Sequence, residues 1–177
     1  ASSDTLTNKT MSGTSNTFTE LEYVELGRTT LGTAGNTMTV SSLPARTYLK
    51  VIILALPSGS IRTVVTYNND TAANYAIRTS TNGGADVTAT SQSGQVFAAA
   101  GASPKFIMFE IINVSSQEKF SYGFDTEGTA GAATAPGRIE INGKWANTSS
   151  QITRIDVTND QAGNFAAGSI LIVLGHN

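Results

Sequence analysis

A chain of 177 residues fits one domain with one core, and its 11 Lys+Arg against 13 Asp+Glu, net charge −2, create no field to hold a phosphate backbone. Nucleic acid is therefore excluded as a partner, and with only 14% charged residues, against roughly 25% in ordinary soluble domains, the polar surface is mainly neutral Ser, Thr and Asn. Zero Cys rules out a disulfide framework and thiolate metal sites, and the longest apolar runs, Val51 to Leu56 and Ile170 to Leu174, fall far short of the roughly 20 residues of a membrane-spanning helix.

Residues 1–18 carry only Leu6, Met11 and Phe18 as large apolar side chains, too few to offset the entropy of ordering them alone. They are expected to form an extended N-terminal arm that orders only against a neighbour. The start, Ala1-Ser2-Ser3-Asp4, lacks the basic and apolar stretches of a signal peptide. Residues 19–177 are expected to form the domain. Thr19 to Glu22 fits a capping box, but Gly27 and the β-branched pair Thr29-Thr30 follow too soon for a stable helix, so a strand is predicted there. Glu20, Glu22 and Glu25 read as a solvated edge that discourages unwanted strand pairing.

Short β-like runs separated by Gly, Asn, Asp and Pro follow, which is the spacing of a sandwich or barrel. Tyr48 to Leu56 and Lys105 to Ile112 are nearly continuous apolar runs and are predicted to be central strands covered on both faces. Ile61, Thr63, Val65 and Tyr67 alternate with more polar neighbours. Phe120, Tyr122 and Phe124 alternate with Ser121 and Gly123, so an inward aromatic face is predicted for both segments. Asn82-Gly83-Gly84 marks a hairpin, because Asn and Gly tolerate the positive φ of tight turns. Asn142-Gly143 suits either a turn or a bulge within one longer strand. Gly128 to Gly137 has no large side chain and is expected to be an exposed loop. The chain closes with a strand before Thr158, a polar turn at Asn159 to Asn164, Phe165, a Gly168-Ser169 step and a last apolar strand.

Catalytic patterns are sparse. The only His is His176, beside the C-terminus, so a triad has no base, and with no Cys a zinc site would need almost nothing but carboxylates. Asp125 and Glu127 share a strand face and are the one acid pair to consider, but acids at alternate exposed positions serve solubility more simply than glycoside hydrolysis. No catalytic residue, cofactor or metal is expected. Asn68, Asn69 and Asp70 offer oxygen ligands for calcium, yet Asn-Asn-Asp is equally good turn chemistry. Trp145, the only Trp, is the candidate anchor for a subunit interface, with core packing as its plain alternative. With Tyr67, Asn69 and Tyr75 it is also the candidate set for contact with a glycan. The Asn-x-Ser/Thr sequons at Asn8, Asn69, Asn113 and Asn147 arise easily by chance in so Asn- and Thr-rich a chain.

Gly143-Lys144-Trp145, Gln151-Ile152-Thr153-Arg154-Ile155 and Phe165-Ala166-Ala167-Gly168-Ser169 before the last strand resemble the closing strands of β-jelly-roll proteins of tailed-bacteriophage virions. The resemblance continues upstream through Leu26 to Gly32, Pro44-Ala45-Arg46 to Leu49, and Tyr67-Asn68-Asn69-Asp70. It implies an all-β jelly-roll sandwich with an extended N-terminal arm. The implied role is a non-enzymatic capsid decoration or cement protein on the virion surface, a homo-oligomer, expected as a trimer, bound to the major capsid protein or other virion proteins. The alternative implied by the same family is a receptor-binding or tail-fibre module that recognises host-surface glycan. A secreted carbohydrate-binding module or glycosidase fragment comes third.

Overall fold

The computed structural model describes residues 23–128 and 130–177, so the arm expected over 1–18 and the stretch Thr19 to Glu22 lie outside the described residues. Among the described residues the regular elements are strands throughout. In chain order these are β1 (Val24–Thr30), β2 (Thr37–Val40), β3 (Tyr48–Ala55), β4 (Pro57–Ser58), β5 (Thr63–Tyr67), β6 (Tyr75–Thr81) and β7 (Val87–Gln92). Then follow β8 (Gln95–Val96), β9 (Lys105–Ile112), β10 (Lys119–Glu127), β11 (Gly137–Trp145), β12 (Ile155–Asn159), β13 (Asn164–Phe165) and β14 (Ile170–His176). The expected all-β sandwich is what the chain forms.

Eight strands make one antiparallel sheet in the order β1-β14-β3-β9-β10-β11-β6-β7, and four make a second in the order β2-β12-β5-β8. A short third pairing joins β13 to β4. One apolar cluster lies between the sheets: Leu49, Val51, Ile53, Phe109, Ile141 and Val173 from the large sheet meet Met38, Val65, Tyr67, Ile155 and Val157 from the small one. These side chains sit at alternate strand positions, as the two-residue period requires. Phe97 and Phe109 stack across the gap with ring centroids 4.0 Å apart.

The predicted hairpin forms: β6 returns as β7, with Asn82 at φ 52° and Gly83 at φ 74° in the left-handed region that Asn and Gly tolerate. Asn142-Gly143 is neither a turn nor a bulge. Both residues run through β11 in unbroken register with β10 and β6, and Gly143 is small because a Cβ there would lie 2.6 Å from Gln95 Nε2.

Two further expectations are corrected. β3 and β9 are covered on one face only: Lys50, Ile52 and Leu54 are half-buried, and Phe106, Met108 and Ile112 are exposed. The aromatic face of β10 is reversed, because Phe120, Tyr122 and Phe124 face outward at 50–55% exposure while Ser121, Gly123 and Asp125 face the core. The cause is space. Gly123 lies opposite Phe109, and a Cβ on it would meet Phe109 Cβ at 2.4 Å, so the layer beneath β10 is already filled from β9.

Candidate functional site

The turn after β5 and the end of β11 gather most of the residues singled out for ligand or subunit contact, but inside the protein. Trp145 is 1% exposed, Tyr75 1% and Tyr67 0%. The Trp145 ring stacks on Tyr75 at 6.3 Å and tilts against Tyr67 at 5.7 Å, and its Nε1–H donates to Asp70 Oδ2 at 2.7 Å. The backbone N–H of Tyr67 donates to Tyr75 Oη, whose hydroxyl donates in turn to the Asp70 carbonyl, each at 2.9 Å. Tyr67 Oη donates to Gln95 Oε1 at 2.8 Å. Trp145 is therefore a core residue and not a surface anchor, and Tyr67, Tyr75 and Trp145 have no ring face free for a sugar. Only Asn69 of that set is exposed.

In the Asn68-Asn69-Asp70 turn the side-chain oxygens of Asn68 and Asp70 are occupied by protein donors. Asn68 Oδ1 accepts from the backbone N–H groups of Thr153 and Arg154, and Asp70 accepts from Ala72, Asn74 and Trp145. Burial tends to raise the Asp70 carboxyl, but those three donors outweigh it and hold the group below its ordinary range. Among the described residues no group of three or more His, Cys, Asp or Glu is placed to share a metal ion. The sequon at Asn113 is sealed: its side chain is 0% exposed and bridges Arg46 O and the Ile152 backbone.

A cleft of about 470 Å³ opens instead on the outer face of the large sheet, where β3, β9 and β10 lie side by side. Tyr23, Tyr48, Ile112, Phe120 and Tyr122 supply its apolar walls, and Glu110 and Asn142 its polar groups. The placement follows from register: Tyr48 is opposite Ile112, while Tyr122 lies between Glu110 and Asn142. Tyr122 Oη donates to Glu110 Oε2 at 2.7 Å, and Lys50 Nζ is 3.1 Å from Glu110 Oε1. The Tyr122 bond, aided by Lys50, overcomes burial and holds Glu110 below the usual carboxylate range, so it is ionised at neutral pH. The same bond raises the Tyr122 hydroxyl. His176 packs between Tyr23 and Tyr48, with centroid separations of 5.8 and 6.3 Å.

No protein-family model, curated protein or solved structure matches this chain.

The cleft offers flat aromatic surface with one fixed acceptor, an arrangement suited to contact. Glu110 and Tyr122 were not foreseen as site residues, although the Phe-x-Tyr-x-Phe alternation was visible. The available signal was on the opposite parity, where Ser121 and Gly123 are too small to fill a core layer by themselves. Asp125 and Glu127 also depart from expectation. Asp125 is not a solubilising surface acid but 0% exposed, and Glu127 is paired with the buried Lys105.

Proposed function

We propose that this protein is a non-enzymatic structural component of a tailed-bacteriophage virion, a capsid decoration or cement protein that assembles as a homotrimer against the major capsid protein. The observation that carries the contact reading is the outer face of the large sheet. Phe106, Met108, Phe120, Tyr122 and Phe124 stand there 36–55% exposed on adjacent strands, with Phe124 directly opposite Met108. Contiguous apolar surface of this kind marks interaction sites in soluble proteins. Strand order supports the finer jelly-roll reading: without the β6–β7 and β10–β11 hairpins, β1-β14-β3-β9 faces β2-β12-β5-β8, the interleaving of two Greek keys.

Because the contact face is apolar and the chain has few charges, assembly depends on buried area and is only weakly sensitive to salt. Sedimentation of the wild-type chain and of a Phe120→Ser/Phe124→Ser variant tests this. The wild type should self-associate equally at low and high salt, and the variant should associate at least tenfold more weakly with unchanged circular dichroism. A wild type that is monomeric at all concentrations, or that dissociates in moderate salt, refutes it. Cryo-EM of the virion then places the chain on the capsid lattice or elsewhere.

One observation favours a second reading, a receptor-binding or tail-fibre module for host-surface glycan. The cleft joins Tyr48, Phe120 and Tyr122 to the carboxylate of Glu110 and the amide of Asn142, which matches a sugar's apolar face and hydroxyl groups. A glycan array with Tyr122→Ala as control separates the two: binding that the variant abolishes supports the module, and an empty array removes it.

A further inference from the structure

Strands β9 and β10 bring three ionisable groups together at one end of the core. Lys105 is opposite Glu127 and Ile107 is opposite Asp125, which makes Lys105 and Asp125 diagonal neighbours on the inner face. A diagonal pair is within reach of a side chain as long as lysine, and the Lys105 ammonium, which rests on Glu127 and forms no ion pair with Asp125, reaches the carboxyl by swinging across the ladder. Both residues are 0% exposed. The Lys105 ammonium is paired with the Glu127 carboxylate, whose side chain keeps 30% exposure and so touches solvent. Neither oxygen of the Asp125 carboxyl has a hydrogen-bond partner, and its neighbours across the ladder are Ile107 and Ile139. A buried carboxyl without a partner is costly and calls for a chemical reason. Burial is also the main cause that pushes Asp125 up to about 7, so a large share of it is the uncharged acid at neutral pH.

We propose that Lys105 and Asp125 condense into an intramolecular amide, with Glu127 as the proton carrier. Glu127 takes one proton from the Lys105 ammonium, and the freed lone pair on Nζ attacks Cγ of the protonated Asp125. The Nζ–Cγ bond forms and the bond from Cγ to its hydroxyl oxygen breaks. A second proton leaves nitrogen and joins the departing hydroxyl as water. The third proton stays on the amide nitrogen, Glu127 releases its proton to solvent, and nothing is oxidised or reduced. Ile107 and Ile139, which flank the buried Asp125 across the ladder, favour the uncharged carboxyl that the attack requires and shield the amide from water that would reverse the step. The amide closes a covalent loop from Lys105 to Asp125 and pins the centre of the large sheet. In a chain with no Cys it provides a cross-link indifferent to the redox state of its surroundings. This inference is independent of the contact role proposed above.

The test is the intact mass of the wild-type protein followed by tryptic mapping. The expected result is a mass lower by one water, loss of cleavage after Lys105, and a branched peptide joining the segments that hold Lys105 and Asp125. Asp125→Asn should reach the same amide by losing ammonia, and Lys105→Arg should keep its full mass. Glu127→Ala retains both reactants and should condense about 100-fold more slowly or not at all. A wild-type chain of full mass that trypsin cleaves after Lys105 overturns the proposal. So does a water loss that maps to any other pair of residues, or a Glu127→Ala chain that condenses as fast as the wild type.

Discussion

Replacing Trp145 is the sharpest probe of how the core is held, because the ring meets apolar, aromatic and charged neighbours at once. It is 1% exposed, lies against Tyr67 and Tyr75, has Lys119 Nζ 5.8 Å from its ring, and donates to Asp70 at 2.7 Å. Trp145→Ala removes the whole ring from a packed layer, which costs about 3–5 kcal/mol. Trp145→Phe keeps most of the apolar volume but loses the hydrogen bond to a carboxylate, a loss of about 1.5–3 kcal/mol. A domain of this kind is stable by roughly 5–15 kcal/mol, so the alanine variant should fold with a much reduced margin. At about 2–4 °C per kcal/mol, its melting temperature should fall by about 6–20 °C. Urea titration followed by far-UV circular dichroism is the assay, since both variants lose the only Trp and with it the convenient fluorescence signal. A cycle with Asp70→Ala isolates the hydrogen bond, with an expected coupling of about 1–2 kcal/mol. A loss below about 1 kcal/mol in the alanine variant would contradict the packing assigned here. So would weaker self-association with an unchanged unfolding midpoint, which would return Trp145 to a subunit interface.

Gly123→Ala should destabilise the fold by at least about 1–3 kcal/mol, because its Cβ would lie 2.3 Å from Met108 O and 2.4 Å from Phe109 Cβ and would force β9 and β10 apart. Chemical denaturation measures this, and a neutral result would mean that the two strands do not hold that register. The pH dependence of stability distinguishes a free Asp125 from a condensed one. A free carboxyl raised to about 7 in the folded state binds its proton more tightly there than in the unfolded chain, so stability is full below the ordinary carboxylate range and falls as pH rises through about 7. Lys105→Arg, which keeps the positive charge but cannot form the amide, should show that fall between pH about 4 and about 7, and the wild type should lack it. For Asp70 the sign is opposite: its lowered carboxyl adds stability above the ordinary range that is lost as pH falls, and Trp145→Phe should make the acid limb shallower.

Local chemistry decided a good deal of this protein by itself. Alternation and apolar runs placed strands at Tyr48 to Leu56, Ile61 to Tyr67, Lys105 to Ile112 and Ile170 to Leu174, where β3, β5, β9 and β14 form with ends shifted by up to two residues, and Asn82-Gly83 placed a hairpin, because each depends on residues within a few positions of one another. What alternation cannot carry is direction. A two-residue period divides Phe120 to Asp125 into two faces, and only the bulk of Phe109 on the neighbouring strand turns Gly123 inward and the aromatic residues outward. The same limit governed the site residues. Trp145 joined the core because β11 pairs with β6 and sets its ring beside Tyr75, with the turn carrying Asp70 close enough to accept its N–H. Lys105, Asp125 and Glu127 became neighbours through the antiparallel register of β9 and β10, and the outer cleft through the adjacency of β3, β9 and β10. Such contacts join positions far apart in the chain, so they exist only once the sheet order has been chosen, and that choice is made by the packing of the whole core.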